Sequence, residues 1–217
     1  MGNVAVIIGA TGAVGREILE EVLEKEFYKK VYVLGRSSIT RLEDNEKLEK
    51  IVVDFENLNF ETDILNNADV FASLGTTIKI AKTKENQRKI DLGYTINFAK
   101  ICEGRVRSFN VVSAVGANRK SKSFYSSLKG ELEEQLQKMN LGTLRIYRPS
   151  LLIAKRVDKR MMEGFFIKLS PMLKFILYGK FKKYSPIEVE LLGKEIVRFA
   201  IEYKEKGIYT YSDFKKA

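Results

Sequence analysis

The sequence predicts an α/β fold, a doubly wound parallel sheet with a small C-terminal helical cap, and three observations carry that expectation. An apolar run, Val4-Ala5-Val6-Ile7-Ile8, leads straight into Gly9-Ala10-Thr11-Gly12-Ala13-Val14-Gly15. The next residues, 16–26, set Ile18, Leu19, Val22 and Leu23 on one face of a helix, the spacing of an amphipathic segment packed on a sheet. Short apolar runs then recur along the chain with helical patterns between them, which is the rhythm of strand–helix–strand units.

Taken in order, the first strand is the apolar run before the glycines, and the second is Val31-Tyr32-Val33-Leu34. Residues 51–53 and 70–74 give the third and fourth, 110–113 the fifth, 142–147 the sixth and 207–211 a seventh. Their continuous apolar character suits strands covered on both faces. Residues 84–103, with Ile90, Tyr94, Phe98 and Ile101, predict one long helix, and residues 126–139, with Leu128, Leu132 and Leu136, another. Ser185-Pro186 reads as a turn into a helix reaching about Tyr203. Residues 156–183 depart from the pattern. They carry Met161, Phe165, Phe166, Leu169, Met172 and Ile176 around Pro171, with lysines throughout. Two short amphipathic helices capping a greasy substrate pocket explain that pattern, in preference to a helix lying in an anionic membrane interface.

The 217 residues suit a single domain spanning 1–217, able to bury roughly 70% of its unfolded surface. The chain has no histidine and one cysteine, Cys102. That argues against zinc and haem sites and excludes a His-based triad and an internal disulfide, so chemistry falls to Tyr, Lys, Ser or carboxylates. A strand opening the chain without a basic leader predicts no secretory signal, and with the lone thiol this predicts a cytoplasmic protein. The net charge of +10 comes from basic residues spread along the chain among acidic ones. With no nucleic-acid motif beside it, this charge reads as a lysine-rich compositional bias rather than a polynucleotide-binding surface, and the partner expected is a small-molecule substrate.

Strand, glycine turn and helix together present backbone N–H groups and a positive helix end to a pyrophosphate. In this GxxGxxG spacing Gly9 makes the tight turn, Gly12 lets the backbone approach phosphate and Gly15 lets helix and strand pack closely. For the reacting end, Tyr125 and Lys129 stand four apart on a helix, on one face. Tyr178/Lys182 and Tyr211/Lys215 have the same spacing, but only Tyr125/Lys129 comes after a serine at a strand end, Ser113. A nearby ammonium is expected to draw the Tyr125 hydroxyl down toward neutrality. Tyr125 then handles the proton, while Ser113 donates a hydrogen bond to a substrate carbonyl oxygen.

These residues, together with Tyr147-Arg148-Pro149-Ser150, resemble the atypical short-chain dehydrogenase/reductases. The closer likeness is to the Tat-interacting oxidoreductase branch, through Ser73-Leu74-Gly75-Thr76-Thr77, residues 112–117, Phe124-Tyr125 and Lys129-Gly130-Glu131. The resemblance implies a Rossmann fold, a nicotinamide cofactor and the catalytic set Ser113, Tyr125 and Lys129. It puts Gly9, Thr11, Gly12, Ala13, Val14 and Gly15 on the phosphates, Asp54 and Phe55 by the adenine, and Leu74, Gly75 and Thr76 by the riboses. Ser150 and Leu151 fall near the nicotinamide amide, with Tyr125 and Lys129 also contacting the cofactor. The family's usual helical asparagine is replaced by something near Asp91.

Cofactor choice is read at the end of the second strand, where an NAD-binding chain usually places a carboxylate for the ribose 2′-hydroxyl. Here stands Leu34-Gly35-Arg36-Ser37, and a guanidinium can pair with a 2′-phosphate through two hydrogen bonds. NADP is therefore expected, with NAD as the alternative. The reading that results is an NADP-dependent reductase of a small or lipophilic carbonyl compound. Its alternatives are a cofactor-binding redox regulator with little turnover and an epimerase- or dehydratase-like enzyme.

Overall fold

The computed structural model describes residues 3–153, 185–202, 205 and 207–214. Seven parallel strands form one sheet in the order β3-β2-β1-β4-β5-β6-β9, the doubly wound arrangement expected. β1 (Asn3–Ile8) lies between β2 (Tyr28–Gly35) and β4 (Asp69–Ala72), with Ile7 opposite both Val33 and Phe71. β3 (Leu48–Val52) closes one edge, while β5 (Ser108–Val112), β6 (Thr143–Arg148) and β9 (Gly207–Thr210) extend the other. The strand order reverses between β1 and β4, and ligands of open α/β sheets lie beyond the C-terminal strand ends at such a point. A two-stranded sheet, β7 (Leu152–Ile153) with β8 (Ile187–Glu188), stands apart. The sequence does not predict it, because two residues are too few to show a period.

Helices cover both faces. α1 (Ala13–Glu24) and α6 (Val189–Ile201) pack on one side, where Val14, Ile18 and Val22 meet a core that includes Leu192, Ile196 and Phe199. α7 (Tyr211–Phe214) comes after β9 on that side and takes Tyr211 from the predicted strand. The other face carries α4 (Thr95–Cys102) and α5 (Phe124–Leu136), whose Phe98, Leu128, Leu132 and Leu136 pack over Val70, Phe109 and Ile146. Cys102 is fully buried there, and burial pushes its thiol well above the usual range.

The single long helix expected over 84–103 is corrected. It divides into α3 (Lys84–Arg88), a π-helical turn over Lys89–Tyr94, and α4. A π turn inserts a residue and rotates the helix beyond it, a feature frequent at functional sites. Apolar periodicity cannot report this, since Ile90, Tyr94 and Phe98 keep helical spacing on either reading. A four-residue helix, α2 (Ile78–Ala81), precedes it. The proposed cap, residues 156–183, lies outside the described residues. So does the choice between a lid and a membrane-surface role.

Away from the ligand edge, the sheet is tied by one carboxylate. Asp69 begins β4, is fully buried, and accepts from Tyr28 Oη at 2.7 Å, Ser108 Oγ at 2.7 Å and the Arg107 guanidinium. Three strands and the β5 approach thus share one acceptor. Removing it takes the charged partner from the Arg107 guanidinium and the acceptor from the buried Tyr28 phenol. An Asp69→Ala variant is expected to lose about 3–5 kcal/mol, read as a fall in the urea midpoint with little change in slope.

Candidate active site

The turn after β1 is shaped by contacts that admit no side chain. Gly9 has φ +87°, and a Cβ on it would meet the Ser73 carbonyl carbon at 2.7 Å. A Cβ on Gly15 would lie 2.1 Å from Gly9 O and 2.5 Å from Ser73 Oγ. Ser73, just past β4, donates its hydroxyl toward Ile8 O at 3.2 Å and Gly9 O at 3.3 Å. The end of β4 therefore holds the glycine turn, and Gly12 N–H closes it onto Gly9 O at 3.0 Å. α1 starts from Gly12 with no acidic residue in its first turn. Its leading N–H groups have no intrahelical acceptor and face the loop with the positive end of the helix.

Beyond this turn lies a cavity of about 790 Å³, within the range of small-molecule and cofactor sites. Gly12, Ala13 and Val14 wall one end, Leu74, Gly75 and Thr76 one side, and Ser113, Tyr125, Lys129, Ser150 and Leu151 the far end. The structure thus brings together most of the residues singled out from sequence. Gly12 to Val14, the β4 loop and the Ser113/Tyr125/Lys129 set line one space, while Gly9, Thr11 and Gly15 are not on the cavity wall. A dinucleotide fits it, because Gly12 brings backbone to the cavity wall at that end and the amino end of α1 begins there.

Others stand outside the cavity wall. Arg36 is exposed directly after β2. Asp54 is exposed, its carboxylate accepting from Glu56 N–H at 2.9 Å. Phe55 is buried and stacked on Tyr94 at 5.3 Å, so its ring is a wall of the core rather than an open face. Ser150 donates to Ser185 O, which anchors the chain before β8.

The electrostatics of the reacting end correct one expectation. Tyr125 is raised above the usual phenol range, first by burial and then by the charge of Asp91, the opposite of the expected pull toward neutrality. Lys129 is lowered by burial and partly restored by Asp91 and Glu133. It sits at 3% exposure, within 3.4 Å of Val112 O. Ser113 is buried, and its hydroxyl donates to Glu133 rather than into the cavity. Glu133 in turn accepts from Arg148 Nε at 3.0 Å and Nη2 at 2.5 Å. Burial of an ion pair costs desolvation that only close hydrogen bonding offsets, and this pair has it. Sequence reasoning missed Glu133 and Arg148. The available signal was a carboxylate on the face carrying Leu128, Leu132 and Leu136, where a solvated helix would place none.

Fold and cleft together define a dinucleotide-binding protein of the Rossmann type. Residues 9–145 match the NAD(P)H-binding family, and the chain belongs to it, among the atypical short-chain dehydrogenase/reductases. Rat "Protein HTATIP2" is 31% identical over 71% of this chain and 64% of its own length, so the match spans under two thirds of that relative. "Protein FMP52, mitochondrial" of Debaryomyces hansenii is 31% identical over 94% of this chain and 90% of its own. A UDP-N-acetylglucosamine 4-epimerase from Methanobrevibacter ruminantium superposes with a TM-score of 0.69 over 96% of this chain and 76% of that one. At 16% identity it is alike in fold alone. These relatives correct the cytoplasmic expectation. FMP52 relatives from several further yeasts are also named mitochondrial at 29–31% identity, which points away from the cytoplasm. Nothing in the residues themselves carried that signal.

The turn geometry makes a prediction of its own. Gly15→Ala places a methyl against backbone that cannot yield, at an expected cost of about 1–3 kcal/mol. Calorimetry should show dinucleotide affinity lost in this variant while circular dichroism still reports a folded sheet.

Proposed function

We propose that the protein is an NADP-dependent reductase of a small or lipophilic carbonyl compound, with Tyr125 as the proton donor. The observation that carries this reading is the cavity shared by the glycine turn, Tyr125 and Lys129. The raised Tyr125 hydroxyl stays protonated, which is the form a proton donor needs. NADPH, held by the glycine turn and the β4 loop, would supply a hydride for a carbonyl carbon, and Tyr125 Oη would supply the proton for the carbonyl oxygen. Lys129 stays close to the Val112 carbonyl at the cavity wall, where its ammonium can also meet a ribose hydroxyl. Ser113 keeps its proton on Glu133, and must turn from that partner before it can donate to a substrate oxygen.

Arg36 supports the choice of NADP, being exposed at the end of β2 where a carboxylate would repel a 2′-phosphate. NADPH should therefore bind more tightly than NADH in calorimetric titration. Arg36→Ala should weaken NADPH roughly ten- to a hundredfold, the value of a charge-assisted hydrogen bond, and leave NADH unchanged. Equal affinities for the two cofactors would remove the assignment.

Turnover is tested with a panel of carbonyl compounds followed at the nicotinamide absorbance. Tyr125→Phe should abolish it with NADPH binding nearly intact, and Lys129→Ala should damage both. The second reading, a cofactor-binding regulator, draws on the Ser113 hydroxyl being committed to Glu133. Tight NADPH binding with no turnover on any carbonyl would favour it.

A further inference from the structure

Thr76 is held by side chains on both of its backbone groups. Asp91 Oδ1 accepts its N–H at 2.6 Å, and Gln87 Nε2 donates to its C=O at 3.2 Å. Gln87 lies in α3 and Asp91 in the π-helical turn, and all three residues are buried. Thr76 and Tyr125 are walls common to the main cavity and to a smaller one of about 380 Å³ beside it. Asp91 Oδ2 is also buried and has no hydrogen-bond partner among the described residues, as is true of Thr95 Oγ1 one turn further on. A buried carboxylate oxygen without a partner is rare enough to need a reason.

We propose that Asp91 is a positioning residue that couples the cofactor loop to the Tyr125–Lys129 pair. One oxygen fixes Thr76, and the negative charge serves the buried ammonium. This rests on the cleft reading above. The charged groups around Lys129 are few. The carboxylates whose charge acts on it are Asp91, on the π turn that clamps Thr76 at the cavity wall, and Glu133, on its own helix and already paired with Arg148 of β6. Lys79 and Lys82 line the same cavity from the α2 side. With Glu133 engaged by Arg148 and Ser113, Asp91 is the carboxylate left to balance Lys129. Its own carboxyl is raised by burial and drawn back by Lys129, the Thr76 N–H and Gln87.

Removing this negative charge lowers the titration of both Tyr125 and Lys129, since Asp91 raises each of them. Both shifts have the same consequence for a reductase: its alkaline limb moves to lower pH. The isosteric Asp91→Asn keeps an oxygen for Thr76 and loses only the charge, whereas Asp91→Ala loses both.

The experiment measures NADPH affinity of the wild type, Asp91→Asn and Asp91→Ala by calorimetry from pH 6 to 10, with the Thr76 amide followed by 15N NMR. At neutral pH, Asp91→Asn should bind NADPH within about threefold of wild type, and Asp91→Ala about tenfold more weakly, in keeping with loss of a bond to a charged acceptor. The alkaline loss of NADPH binding should begin at lower pH in Asp91→Asn, and the alkaline limb of turnover should move with it. The Thr76 amide should lie far downfield in wild type and move upfield in Asp91→Ala. Identical pH dependence in wild type and Asp91→Asn overturns the charge role, and wild-type affinity in Asp91→Ala overturns the clamp. Because binding and the amide signal need no substrate, absence of turnover would sink the reductase reading alone.

Discussion

The approach of the glycine turn to Ser73 is the constraint on which the site depends. Two backbones and one serine hydroxyl occupy the space where side chains at positions 9 and 15 would otherwise stand. This locks the end of β1 to the end of β4 at the reversal of strand order. α1 can then start only with its amino end over the cleft. The β4 loop leaves in the opposite direction, toward Thr76, the π turn and α5. A contact between two strand ends thus fixes both walls of the cavity. The covering helices stabilise an arrangement already determined at its edge.

At the other end of the cleft the limiting physics is desolvation. A lysine at 3% exposure stays useful only if negative charge lies near it. The chain supplies Asp91 and Glu133 from two different elements and then neutralises one of them with Arg148. Burial first, and then the charge of Asp91, act on Tyr125 in the reverse sense to the attraction of an ammonium. The pocket therefore holds its phenol in the protonated form.

Much of this was legible in the chain. Central strands buried on both faces announce themselves as continuous apolar runs, whereas the edge strand β3 is only partly buried and the run expected at 51–53 overlaps it by two residues. The glycine spacing after β1 located the cleft, because few residues can occupy a turn that tight. Other features leave no such trace. The π turn at Lys89–Tyr94 preserves apolar spacing while rotating Asp91 inward, so periodicity is blind to it. Glu133 and Arg148 meet across β6 and α5, a pairing that depends on tertiary register. The direction of the Tyr125 shift follows from burial and then from the Asp91 carboxylate, and the spacing of Tyr125 and Lys129 says nothing of either. The mitochondrial association of the relatives has no counterpart in the fold chemistry.

The burial of Cys102 at the end of α4 decides a separate matter. It is the one sulfhydryl of the chain, fully enclosed and raised well above the usual thiol range. Its sulfur is neither ionised nor reachable, so peroxides and glutathione have no nucleophile to engage. Two copies cannot be joined through sulfur without first unfolding. If this protein reports oxidative conditions to a partner, the ratio of reduced to oxidised pyridine nucleotide is a route that needs no reactive thiol, and sulfenylation of Cys102 is not such a route.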